Sequence, residues 1–362
     1  MPPESVTMMK TESIACQVHR TCVRPAVKPP AFALAVCRDE PAAVSAVSGR
    51  CLSRHRMNRQ NTHKNPLGIA LACGNQKGGV GKSTVAVHLA AALGLAGYTC
   101  LVIDLDPAAG ATRHLGVPDA SFAGTLELLT TEESLRALVI DQNMPTNVHL
   151  IPARPQLAEL DTLLSKFVDK TRILDRVLTQ ARHLYDFVIL DTSPSAGATT
   201  TIAAYSACEW FLLTAFPHPL SFAGLTDACR DIRDVRRFRN PELEVLGVVF
   251  NNVDPRARLL KVELEALVEQ LVPGRRFKTT ISQAVILPHL SGLGRTLFQE
   301  PHWQRLIPAK QYYRLAAEVL LRVLNREDFL AGRLADMPSE WPQLPGDRID
   351  NVIELHAEVK HG

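Results

Sequence analysis

Two lysines and a pair of hydroxyl side chains set among glycines carry the first chemical signal: Lys77-Gly78-Gly79-Val80-Gly81-Lys82-Ser83-Thr84. An apolar run, Ile69-Ala70-Leu71-Ala72-Cys73, precedes them, and the helix-prone stretch Val85–Leu93 follows. Strand, glycine-rich turn and helix in that order make a phosphate site. Glycines let successive backbone N–H groups turn onto one anion, and the helix adds its unsatisfied N–H groups and positive dipole end. Lys82 then reaches the β- and γ-phosphates of a nucleotide, and Ser83 ligates Mg²⁺. Gly78, Gly79, Val80, Gly81 and Thr84 complete the cradle. The plain alternative is a glycine turn before a core helix; Gly-Lys-Ser opening a helix after a buried strand weighs against it.

Carboxylates come next. Leu101-Val102-Ile103-Asp104-Leu105-Asp106-Pro107 sets two acids at the end of an apolar strand, the sheet edge where ligands of open α/β proteins sit. Phe187-Val188-Ile189-Leu190-Asp191 repeats the theme with one acid, a common ending for a buried strand and by itself a weak signal.

The general phosphate-loop pattern has a glycine five positions before Gly81, where this chain has Gln76, followed by the extra Lys77. That deviant loop resembles the ParA/MinD family of dimerising ATPases, and within it the chromosome- and plasmid-partition members. The resemblance spans about residues 67–325. It implies a deviant-Walker P-loop ATPase using ATP and Mg²⁺, with Asp106 orienting the attacking water, Asp104 supporting the Mg²⁺ shell through water, and Asp191 as the Walker B acid that would hold Mg²⁺ through water opposite Ser83. Lys77 would cross a dimer interface to phosphates bound in the partner, as an arginine finger does. Asn251, in Phe250-Asn251-Asn252, would contact the adenine edge; a plain turn is its alternative. The family text after Asp106 runs Pro-Gln-Gly-Asn, whereas this chain reads Pro107-Ala108-Ala109-Gly110, which puts hydrolysis and its stimulation by a partner in question.

The same resemblance implies a homodimer formed on ATP, non-specific DNA as a partner, a centromere-binding or cargo adaptor protein, and a cytoplasmic, nucleoid-associated location. Basic residues that would meet DNA phosphates are Arg256, Arg258, Arg275, Arg276, Lys278 and Arg295; a solvated helical face is the alternative. Membrane-binding relatives carry a basic amphipathic terminal helix. Here Asp350, Glu354 and Glu358 stand against Lys360, the wrong sign for anionic lipid, so no membrane partner is expected. An electron-transfer relative would need a cysteine just past Asp191, and Thr192–Ala198 has none.

A chain of 362 residues with net charge +3 is long enough for a large core, and its charge points to no polyanion except through a local patch. Its eight cysteines show no CxxC spacing and read as free thiols of a reducing compartment. Residues 1–66 carry ten Lys/Arg against four Asp/Glu without sustained periodicity. They read as a basic arm, a degenerate DNA-binding module, or translated upstream sequence with the start at Met57.

Between 67 and 326 strand-like and helical segments alternate. Strands are expected at Gly68–Cys73, Thr99–Asp104, Val148–Ile151, Phe187–Asp191, Trp210–Ala215, Val245–Asn251 and Phe277–Ile281. Helices are expected at Ser83–Leu95, Gln156–His183, Ser221–Phe238, Arg256–Leu271 and Gln311–Leu324. Continuous apolar strands need cover on both faces, which gives an α/β class: a doubly wound, mainly parallel sheet flanked by helices. Residues 327–362 read as a tail.

Overall fold

The computed structural model describes residues 66–118, 122–195 and 197–334. The expectations for residues 1–65 and 335–362 lie outside them.

Seven strands form one sheet: β1 (Ile69–Gly74), β2 (Cys100–Asp104), β3 (Val148–Ile151), β4 (Phe187–Asp191), β5 (Trp210–Ala215), β6 (Glu244–Val253) and β7 (Arg276–Ser282). Their order is β3-β2-β4-β1-β5-β6-β7, and every ladder is parallel. Parallel neighbours need crossovers, and helices supply them. The longer ones are α1 (Lys82–Leu95), α6 (Ile173–Arg182), α7 (Thr199–Ala207), α8 (Pro219–Phe238), α9 (Arg258–Leu271) and α11 (Ile307–Leu324). Short ones fill the turns: α2 (Gly110–His114), α3 (Thr125–Thr130), α4 (Leu135–Leu138), α5 (Leu160–Leu163), α10 (Ile286–Gly292) and α12 (Arg326–Leu330).

Alternate strand residues point to opposite faces, so a sheet covered on both sides needs apolar side chains throughout. Leu71, Val102, Phe187, Ile189 and Leu212 share one core with α1 and α11. Ala72, Ile103, Val188, Leu190 and Phe211 share the other with α6, α7 and α8. Helix α1 carries almost no polar stripe and is buried from Val85 to Gly94. It fits only beneath a second layer, and α11 provides that layer.

The strand expectations match within two residues at each end, but two helices do not: α11 starts at Ile307, four residues before the expected Gln311, and another is broken. The stretch 156–183 is a 3₁₀ turn at Pro155–Glu159, α5, a second 3₁₀ turn at Lys170–Arg172, and α6. Asp169 breaks it: its backbone is extended, and its carboxylate accepts from the Thr171 N–H at 3.0 Å, capping a new start. At the other end the packed chain runs on through α12, where Phe329 is buried against Arg275 and Arg322.

Candidate functional site

The loop after β1 closes at Gly81, whose φ of 83° makes the left-handed turn that starts α1. The first helical residue is Lys82, which is buried, and its ammonium donates to the Lys77 carbonyl at 3.4 Å. Burial lowers the Lys82 pKa, while Asp191 and Asp106 pull it back up. The second helical residue is Ser83. Lys77 lies half-buried at the mouth of the loop.

Adjacent strands bring two of the acids level, because Asp104 of β2 pairs in register with Asp191 of β4. Their surroundings differ. Asp104 Oδ2 accepts from both the backbone N–H and the hydroxyl of Thr112, at 2.9 and 2.7 Å, and Oδ1 accepts from the Asp106 N–H at 3.1 Å. Burial still pushes its pKa up to about 6. Both Asp191 oxygens are equally buried, but among the described residues no partner meets them in hydrogen-bond geometry. Burial and the neighbouring Asp104 drive the Asp191 pKa well up; the Ser83 hydroxyl and Lys82 nearby draw it down without satisfying the carboxylate.

A buried acid with two orphaned oxygens beside a serine hydroxyl suits a hard divalent cation, so the residues fit Mg²⁺. Among the described residues no three His, Cys, Asp or Glu side chains converge as a metal cage. A cation here would complete its shell with water and nucleotide oxygens, as Mg²⁺ commonly does. Asp104 is committed to Thr112 and the Asp106 backbone, so its expected support of the shell is indirect: it fixes the loop that carries Asp106.

Asp106 is half-buried at the edge, and one carboxylate oxygen accepts from the Ala108 N–H at 2.9 Å. Ala109 follows in the left-handed region, φ 52°, and caps α2. Next to it, Gly110 abuts the phosphate loop: a Cβ there would lie 2.4 Å from Ser83 Oγ. Thr112 and Gly110 are site residues that sequence reasoning missed; only the divergence from the family text marked their neighbourhood.

Asn251 is not open at an adenine edge. It is buried beneath the loop, where its amide donates to the Val80 carbonyl at 3.4 Å and its oxygen accepts from the Tyr312 hydroxyl at 3.3 Å. The missing Gly81 side chain makes room, since a Cβ there would fall 2.1 Å from Asn251 Nδ2. Tyr312 in turn stacks on His88 of α1, with ring centres 4.7 Å apart. Imidazole His88 donates to the Thr84 carbonyl and accepts from the Leu297 N–H. Burial lowers its pKa to about 3 and keeps it neutral.

The expected basic cluster is split. Arg256 and Arg258 lie at the start of α9 and Arg275 beyond its end. A 14-residue helix separates them by about 20 Å at 1.5 Å per residue. Most have protein partners. Arg256 forks onto Asp254, Arg276 lies 3.7 Å from Glu265, Arg295 lies 3.0 Å from Glu300, and Arg275 stacks on the Phe329 ring. The backbone N–H of Lys278 donates to Glu318 at 2.9 Å.

Strand ends that gather a glycine-rich loop, a buried lysine and three acids define a P-loop nucleotide-binding protein of the deviant-Walker class. Comparison with known proteins narrows this. The AAA domain family model matches residues 69–245. The chromosome-partitioning ATPase Soj of Thermus thermophilus is 34% identical over 255 residues, 70% of this chain and 96% of Soj. Chromosome partitioning protein ParA of Caulobacter vibrioides is 30% identical over 279 residues, 73% of this chain and 97% of ParA. Among solved structures, cobyrinic acid a,c-diamide synthase of Mycobacterium smegmatis with a bound ATP analogue and magnesium superposes with a TM-score of 0.59. It is 25% identical and covers 76% of this chain and 99% of the synthase. The chain belongs to the ParA/MinD family of ATPases, with Soj- and ParA-type partition proteins among its relatives.

Proposed function

We propose that this protein binds Mg-ATP at the β1, β2 and β4 strand ends, pairs with a second copy through Lys77, and hydrolyses ATP slowly under the control of an adaptor. Its output is positional, the partition of a plasmid or chromosome by a dimer that holds DNA without sequence preference. The observation that carries the nucleotide reading is the orphaned Asp191 carboxylate facing Ser83 and Lys82. Lys82 and the loop N–H groups hold the phosphates, while Ser83 and Asp191 hold the metal. The metal they would hold would supply positive charge against the phosphate oxygens. Asp106, fixed by Asp104 and Ala108, orients a water at the exposed side of the phosphates. Lys77 of the partner adds the second cation.

DNA contact belongs to the same proposal. The head of α9, with Arg256 and Arg258, lies at the nucleotide edge of the sheet. Arg275 and Arg276 lie at the opposite end, so the head of α9 is the part that ATP-driven pairing would affect. Binding should weaken steeply with salt and about equally for all sequences.

Ala108 and Gly110 offer no polar side chain beyond Asp106, which favours a second reading: an ATP-binding regulator or positioning protein that hydrolyses little. Two variants test both. Lys82→Ala should remain folded and lose Mg-ATP binding by calorimetry; retained affinity refutes the phosphate loop. Asp106→Ala should bind ATP and remain dimeric; if wild type and Asp106→Ala turn over ATP equally slowly with any adaptor, the regulator reading stands.

A further inference from the structure

We propose that α8 is the element that aims Lys77, through Asp231 acting on Gln76 and Gly224 acting on the Lys77 backbone. The inference rests on the reading of Lys77 as the cation that crosses to a second copy. Residues 75–77 replace the start of an ordinary phosphate loop, and each is held from outside the loop. The buried Asn75 amide donates to the Thr214 carbonyl at the end of β5, at 2.7 Å. Gln76 donates its side-chain amide to Asp231, 155 residues away on α8. Lys77 is held by steric fit. A Cβ on Gly224 would lie 2.5 Å from Asn75 Oδ1, 2.9 Å from Lys77 Cβ and 3.2 Å from Lys77 N, so the helix backbone is seated directly against this segment.

Gln76 therefore does what a glycine there cannot. It ties the loop to a helix instead of leaving the turn free, and the residue so tied is the one before Lys77. The Asp231 carboxyl is desolvated, and the Gln76 amide opposes the resulting rise of its pKa. A backbone already fixed at Lys77 leaves less of the loop to be ordered when a second copy arrives, which is the general benefit of preorganisation. Asp231 and Gly224 are thus positioning residues: neither touches phosphate, and both act on dimerisation more than on nucleotide affinity.

The test compares Asp231→Ala, Asp231→Asn, Gly224→Ala and Lys77→Ala in the full chain with a slowly hydrolysed ATP analogue. Affinity is measured by calorimetry on dilute monomer, and dimerisation by light scattering. Asp231→Ala and Gly224→Ala should bind the analogue within about threefold of wild type, yet dimerise at least about tenfold more weakly, equivalent to about 1.4 kcal/mol. Asp231→Asn retains an acceptor for the Gln76 amide and should restore dimerisation. If Gly224→Ala does not fold, the Asp231 pair alone decides. Equal losses in analogue affinity and dimerisation would mean a merely structural role and overturn the inference. Wild-type dimerisation in Asp231→Ala, with Lys77→Ala monomeric, overturns it while sparing Lys77; a fully dimerising Lys77→Ala overturns the reading beneath it.

Discussion

Two buried charged regions of this molecule are treated in opposite ways. Near β7 and α11, Arg322 is almost fully covered, and its guanidinium donates to the Leu246, Arg275 and Arg276 carbonyls at 2.8, 3.2 and 2.9 Å. It also lies over the Phe277 ring at 4.0 Å, and its neighbour Glu318 accepts from the Lys278 and Thr279 N–H groups. At the ends of β1, β2 and β4, Asp191 is equally covered, and among the described residues its oxygens have no partner in hydrogen-bond geometry, with only the Ser83 hydroxyl and Lys82 nearby; Lys82 donates to the Lys77 carbonyl at 3.4 Å. Burial without partners costs free energy that a folding-only role would not tolerate. Arg322 is satisfied by protein and marks structure; at Asp191 both oxygens of a fully buried acid are left open, which marks a place for a ligand.

The largest effect expected from this contrast is at Arg322. Arg322→Ala would remove a donor from the Leu246 and Arg276 carbonyls, leave the Arg275 carbonyl with the Val248 N–H alone, and take from Glu318 its nearby cation. Removing one partner from such a buried set costs about 3–5 kcal/mol. Urea unfolding should show that loss, while the folded fraction binds ATP analogue as wild type does. A loss under about 1 kcal/mol would place Arg322 with ordinary surface charges and break the contrast.

Asp191→Asn should act in the other direction on the ligand-free protein. The amide keeps the shape and removes a desolvated, unpartnered carboxylate, so the apo fold should gain on the order of 1–2 kcal/mol. Mg-ATP then reverses the order. Ligand at a hundred times its Kd stabilises a binding-competent protein by about 2.7 kcal/mol. Wild type should show that gain in thermal melts and the variant should not. An Asp191→Asn protein less stable than wild type without ligand would show that the carboxylate is held by the fold after all.

Legibility in the sequence followed the range of the interactions. The strands stand out because a buried parallel strand needs four to six apolar residues in a row, and β4 reads Phe-Val-Ile-Leu without a gap. The loop from Lys77 to Thr84 is equally local. What could not be read is pairing between distant segments. Asn251 looked available for a base, but its partners Val80 and Tyr312 lie 171 and 61 residues away. Nothing in one dimension ties Asp231 to Gln76. The basic residues looked like one cluster because 256–278 is a short interval in sequence, and α9 turns that interval into a separation. The break at Asp169 was legible in principle, since an Asp standing just before a fresh apolar-periodic run is a helix-start signal.

The smallest effect concerns strain at the open edge. Five described residues other than glycine have positive φ: Ala109, Asn143, Asn147, Asn252 and His302. Four are Asn or His, which tolerate the left-handed region; only Ala109 gains nothing from its side chain there. It is also the one beside the acids, between Asp106 and the Gly110 that contacts Ser83, and strain of this kind tends to collect at functional turns. Ala109→Gly would relieve about 1 kcal/mol of left-handed cost. It would give back a similar amount by freeing the unfolded chain and uncovering one buried methyl. The net change in stability should stay within about 1 kcal/mol of zero, read from urea midpoints at constant slope. Ala109→Val should cost clearly more, because a branched Cβ crowds the left-handed turn. Should Ala109→Gly instead destabilise by about 2 kcal/mol or more, as ordinary core truncations do, the turn at Ala109 holds no strain, and the open edge differs from the β7–α11 side in its charges alone.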